Sequence, residues 1–203
     1  MSVYIVGLTG QTGAGKSTVS QFFSKFGLSV IDCDQVAREV TARGSDCLIQ
    51  IVREFGDVLT SKQDLNRRVL GAIVFQNPAK LARLDEILFP AIRSRMAEKT
   101  SSLEKAGAAI VVWDAPTLFE SGADQECDCI VSVVASKTIR LNRIMERDGL
   151  SPKMAENRMK SQKSEAFFIE HSNIVIRNND GLSDLLEQSK KAVEKIREEA
   201  NGH

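Results

Sequence analysis

Lys16 stands next to last in Gly10-Gln11-Thr12-Gly13-Ala14-Gly15-Lys16-Ser17, a match at every position to the pattern GxxxxGK[ST]. Gly13 and Gly15 lack a Cβ, so the backbone there can turn successive N–H groups onto one centre and form an anion nest. A helix opening near Gly15 adds unpaired N–H groups and the positive end of its dipole. Lys16 then reaches the β- and γ-phosphates of a nucleotide, and the Ser17 hydroxyl is placed for Mg²⁺. The apolar Tyr4-Ile5-Val6 before the loop and the helical pattern of Ser17 to Phe26 after it separate a polyphosphate cradle from a glycine-rich turn.

A second constellation is Asp32-Cys33-Asp34. Alternation along an extended chain would bring both carboxylates to one side, with Cys33 on the other. One carboxylate would orient Mg²⁺ or its waters and the other would accept the proton of an attacking hydroxyl. Asp34, directly before Gln35-Val36-Ala37, also fits a helix N-cap. Asp114, closing an apolar run, is a candidate for holding a magnesium-bound water. Arg140, Arg143, Arg147 and Arg158 lie on two short helical patterns joined around Asp148 to Pro152. Their charges suit a mobile lid over an anionic transition state, or a solvated charged face.

The elements that position these residues follow from apolar patterning. Strand candidates are 3–8, 28–32, 108–114, 129–134 and 174–177. Helical patterns cover 16–26, 35–41, 45–55, 66–75, 78–106, 137–147, 152–162 and 182–199. Strands that are apolar throughout and separated by helices predict a doubly wound parallel sheet covered on both faces. The long helical stretch between the second and third strands reads as an insertion able to carry a second substrate at the mouth of the sheet. The expected organisation is one domain, residues 1–203: a core of 1–34, 108–135 and 165–203, an insertion at 35–107 and a lid at 136–164.

The whole chain limits the partners. Lys+Arg and Asp+Glu balance at 27 each in 203 residues. No global field favours nucleic acid or an anionic membrane, and small-molecule substrates fit better. No segment approaches the ~20 apolar residues of a membrane span. The first strand begins at Val3, which leaves no room for a leader and predicts a cytoplasmic protein. Cys33, Cys47, Cys127 and Cys129 lack metal-site spacing and are expected as reduced thiols.

Taken in order, GLTGQTGAGKST, VIDCDQVAR, LNRRVLGAIVF, ILFPAIR, PTLFESG, RLNRIMERD, RMKSQ and IVIRNN resemble the dephospho-coenzyme A kinase family over essentially the whole chain. The resemblance implies a P-loop NTPase fold with a helical CoA-binding insertion and an arginine lid. It also implies transfer of the γ-phosphoryl of ATP, with Mg²⁺, to the ribose 3′-hydroxyl of dephospho-CoA. By matching motif, Gly13, Ala14, Gly15, Lys16, Ser17 and Thr18 would hold the ATP phosphates. Asp34 would be the base, and Ser17 and Asp32 are the candidates for the metal. Arg143 would meet the transferring group, Thr9 would lie near the reaction centre, and Asn178 would approach the adenine. Arg67, Leu118 and Glu120 would contribute to the acceptor site. Two departures stand out: Phe89-Pro90 where the family usually has His-Pro, and Pro116-Thr117-Leu118 where it usually has Pro-Leu-Leu. The rivals are a kinase resembling shikimate kinase and a nucleotide-dependent switch. The chain lacks the Gly-Gly of the first and the Asn-Lys pair of the second.

Overall fold

Tyr4–Gly10 forms the central strand, β1, of a five-stranded parallel sheet in the computed structural model, which describes residues 2–202. The others are β2 (Ser29–Asp32), β3 (Ile110–Asp114), β4 (Cys129–Val134) and β5 (Ile174–Arg177), in the order β2-β3-β1-β4-β5. β1 pairs in parallel with β3, Leu8 lying opposite Asp114, and with β4, Thr9 lying opposite Ser132. Those pairings carry β1 two residues beyond the expected end at Leu8. The central strands are buried along almost their whole length, as a sheet covered on both faces requires.

Two compact units are distinguished, Met1–Ile31 with Leu103–His203, and Asp32–Ser102. In the first, α1 (Lys16–Lys25) follows β1, and α9 (Leu182–Asn201) packs against it after β5. Val19, Phe22 and Phe23 of α1 and Leu185, Val193 and Ile196 of α9 close over Val6, Leu8, Val131 and Val133. The segment α6 (Lys137–Asp148), α7 (Pro152–Lys160) and α8 (Glu165–Glu170) connects β4 to β5. Right-handed crossovers place this segment on the sheet face opposite α1, because the chain moves the other way across the sheet. The connections leaving β1 and β3 therefore diverge, and a crevice opens at their carboxyl ends.

The second unit contains α2 (Cys33–Val40), α3 (Asp46–Phe55), α4 (Arg67–Val74) and most of α5 (Pro78–Lys105), which runs through Pro90. Its core is Cys47 and Ile51 of α3, Val58, Leu70 and Val74 of α4, and Leu84 of α5. Ser45 caps α3 and Asn66 caps α4, each accepting a backbone N–H from the first turn. Asp32 caps α2 in the same way, its Oδ1 accepting the Asp34 and Gln35 amides at 2.8 and 3.1 Å. This corrects the expectation of an extended Asp32-Cys33-Asp34. The helix begins at Cys33 rather than Gln35, the cap is Asp32 rather than Asp34, and Asp34 lies in the first turn.

Candidate active site

The loop between β1 and α1 has a consistent polarity. The Thr12 carbonyl accepts from Arg140 Nε at 2.9 Å. The Ala14 carbonyl accepts from Asn178 Nδ2 at 2.7 Å, and Arg143 Nη1 lies 3.4 Å from the Gly13 and Ala14 carbonyls. A trans peptide directs its N–H opposite to its carbonyl, so carbonyls drawn outward turn the N–H groups of Gly13 and Gly15 inward. Those amides and the first N–H groups of α1 at Lys16 and Ser17 form the anion nest. Gly13 (φ 76) and Gly15 (φ 100) are required both by conformation and by space. A Cβ on Gly13 would sit 2.9 Å from the Arg140 carbonyl, and one on Gly15 would run into the Asn178 amide.

Lys16 Nζ forms an ion pair with Asp114 Oδ1 at the end of β3. Their side chains are only 15% and 11% exposed, so the pair is largely withdrawn from solvent. With the Ser17 hydroxyl in the first turn of α1, Asp114 supplies oxygen donors of the kind a hard divalent cation takes. Thr9 is fully buried near the end of β1, and its Oγ1 has no hydrogen-bond partner among the described residues.

The expected lid arginines have different surroundings. Arg140 is 5% exposed, and burial holds its guanidinium below the usual arginine range. Arg143 Nη2 reaches Asn178 Oδ1 at 3.2 Å, so Arg143 and Asn178 are joined behind the loop. Arg147 and Arg158 both engage the Asp148 carboxylate at the α6–α7 turn and brace the arm internally. Gln162, just past α7, accepts the Thr12 N–H on Oε1 at 2.8 Å. Gln162 closes the RMKSQ stretch, and nothing in that stretch assigns it a role. A polar residue at a helix end carries no signal of a bond to a residue 150 positions away. α8 also escaped, because its six residues are too short for periodicity, although Ser164 caps it.

Leu118 is fully buried and packs against Gly7, so its side chain belongs to the core. Glu120, two residues on, is exposed. In the second unit, Arg67 Nη2 donates to Thr41 Oγ1 at 2.8 Å, and Thr41 in turn donates to the Ala37 carbonyl at 2.6 Å. Burial, then the neighbouring Arg38, lowers the pKa of Arg67, while Asp34 acts in the opposite sense. Asp34, Arg38 and Arg67 thus form one electrostatic group. None of the four cysteines is in a disulfide. Among the described residues no helix is long and apolar enough to cross a membrane.

Comparison with known proteins gives the family of the chain. The dephospho-CoA kinase family model matches residues 4–184. The dephospho-CoA kinase of Fusobacterium nucleatum is 36% identical over 197 residues, covering 97% of this chain and all of that protein. The crystal structure of TT1252 from Thermus thermophilus is 30% identical with a TM-score of 0.86, covering 96% of this chain and 98% of that one. The structure of dephospho-CoA kinase from Campylobacter jejuni is 26% identical with a TM-score of 0.70, covering 95% and 96%. With a phosphate loop of this geometry inside a match that spans both units, the chain belongs to the dephospho-CoA kinase family.

Proposed function

We propose that this protein transfers the γ-phosphoryl of ATP to the ribose 3′-hydroxyl of dephospho-CoA, giving coenzyme A and ADP. The observation that carries the reading is the family match over residues 4–184, which includes both the phosphate loop and the Asp34–Arg67 group. The inward N–H groups of the loop and Lys16 hold the phosphates of ATP. Arg143, leaving the Gly13 and Ala14 carbonyls as the lid closes, neutralises charge on the transferring group, and Asn178 lies toward the adenine. Phosphoryl transfer passes through a loose transition state, so the protein's work is alignment and charge stabilisation. A bond forms between the 3′-oxygen and Pγ as the bond from Pγ to the β,γ-bridging oxygen breaks. ADP leaves, and the 3′-hydroxyl proton passes to Asp34.

Mg²⁺ suits the oxygen donors present. Ser17 and Asp114 would hold it, with the remaining oxygen of Asp32 available to one of its waters, and it would neutralise the β- and γ-oxygens. Arg67 takes an anionic part of the acceptor, and Glu120 is proposed as a further contributor to acceptor binding. Thr9, buried beneath the loop, supports the reaction centre. Residues 35–107 serve the acceptor and residues 136–164 act as the lid. Thermal shift tests the pairing of substrates: dephospho-CoA and ATP should each raise Tm, and shikimate should not. Stabilisation by shikimate and not by dephospho-CoA would overturn the reading.

A further inference from the structure

The two ends of the α6–α7 arm meet the phosphate loop at one residue. Arg140, in the first turn of α6, donates from Nε to the Thr12 carbonyl at 2.9 Å. Gln162, two residues past α7, accepts the Thr12 N–H at 2.8 Å. Thr12 is therefore held on both sides by residues 22 positions apart in the chain and brought together by the helical hairpin. The neighbouring groups are also committed: the Gln11 carbonyl accepts the Ala14 N–H at 3.0 Å.

The geometry points to Gln162 and Arg140 as positioning residues that clamp Thr12 and preform the phosphate loop before nucleotide arrives. The clamp fixes two successive peptide planes. With the Thr12 carbonyl drawn to Arg140, the N–H of Gly13 in the same trans peptide must point to the other side, into the nest. With the Thr12 N–H drawn to Gln162, that donor is removed from the nest and the Gln11 carbonyl is left to close the inner turn with Ala14. Arg140 is too buried to serve as a lid cation, and its charge instead orients a carbonyl. Preorganised amides spend less ordering entropy on binding, so the clamp acts on nucleotide affinity more than on the chemical step.

This inference deepens the ATP-dependent reading and rests on it for its kinetic test. In Gln162→Leu, the KM for ATP should rise about three- to tenfold, the effect of one side-chain to backbone hydrogen bond. The kcat should stay within about threefold, and the KM for dephospho-CoA should be unchanged. Hydrogen exchange in the nucleotide-free protein provides a readout independent of catalysis. The Thr12 amide should exchange about tenfold faster in Gln162→Leu and regain protection in Gln162→Glu, whose carboxylate still accepts the bond. Arg140→Met should raise the ATP KM in the same way. An unchanged ATP KM in Gln162→Leu, or Thr12 exchange that does not respond to it, would overturn the clamp. A wild-type protein that protects Thr12 through Gln162 yet fails to turn over ATP would count against the functional reading and leave the clamp standing.

Discussion

Replacing Lys16 by alanine should remove two things at once, a cation on the phosphates and the partner of Asp114. The pair is 15% and 11% exposed, so Asp114 in Lys16→Ala keeps little access to water. Losing a hydrogen bond to a charged group costs about 1–3 kcal/mol. The value lies below the 3–5 kcal/mol of a fully buried pair because some solvent remains. In a chain of this size each kcal/mol lowers Tm by about 2–4 °C, which gives a drop of roughly 2–12 °C. Adding Asp114→Asn removes the stranded charge, so Lys16→Ala/Asp114→Asn should recover most of that loss. Activity should not recover. The cation lost from the transition state costs about 10²–10³-fold in kcat in Lys16→Ala, and the double variant should lose at least as much because Asp114→Asn also weakens a proposed Mg²⁺ donor. Thermal melts and steady-state rates on wild type, both single variants and the double variant close the cycle. Lys16→Ala that keeps the wild-type Tm would show the ion pair is unimportant in solution, and turnover within about threefold would refute the phosphate role.

Asp34→Asn should lower kcat about 10²–10⁴-fold with little change in ATP affinity or Tm, as expected for a general base that does not cap its helix. Asp32→Ala should instead lower stability by about 1 kcal/mol, read by denaturant melts, because it removes the acceptor for two amides of α2. Arg143→Ala should lower kcat about 10²-fold while raising the ATP KM less; an equal kcat loss from Arg147→Ala would show that the wrong arginine has been assigned. Glu39 is held below the usual carboxylate range, first by its hydrogen bond from Lys99 and then by Arg95. Its contribution to stability is therefore present above the unfolded-state pKa and is lost as pH falls through the lower folded value. Melts between about pH 5 and 3 should lose less stability on acidification in Glu39→Gln than in wild type.

The strands and most helices were legible because their signals are local. Val3 to Leu8 and Cys129 to Val134 are apolar on both faces, and Ser45, Asn66 and Ser151 mark helix starts. The phosphate loop was legible because its glycines are needed at fixed offsets. The Asp32–Asp34 geometry was misread for a related reason. A helix capped by the last residue of a strand leaves no gap in the sequence, and the extended pattern was carried one turn too far. Leu118 was drawn to the site by its motif, whereas its packing against Gly7 depends on tertiary contact. The arginines could be grouped from sequence but not sorted. Separating Arg140, buried on a carbonyl, from Arg147, exposed on Asp148, requires the helix face and the position of its neighbours. Gln162 was hidden for the same reason, since nothing local distinguishes an amide that reaches Thr12 from one in water.

The most direct test is to identify the product formed from ATP, Mg²⁺ and dephospho-CoA. The account predicts ADP and coenzyme A in equal amounts, with the new phosphate on the ribose 3′-oxygen by ³¹P NMR and mass spectrometry, and no transfer by Asp34→Asn above a background ~10²-fold lower. Release of inorganic phosphate without coenzyme A, or a phosphate placed on any other oxygen of dephospho-CoA, would contradict it.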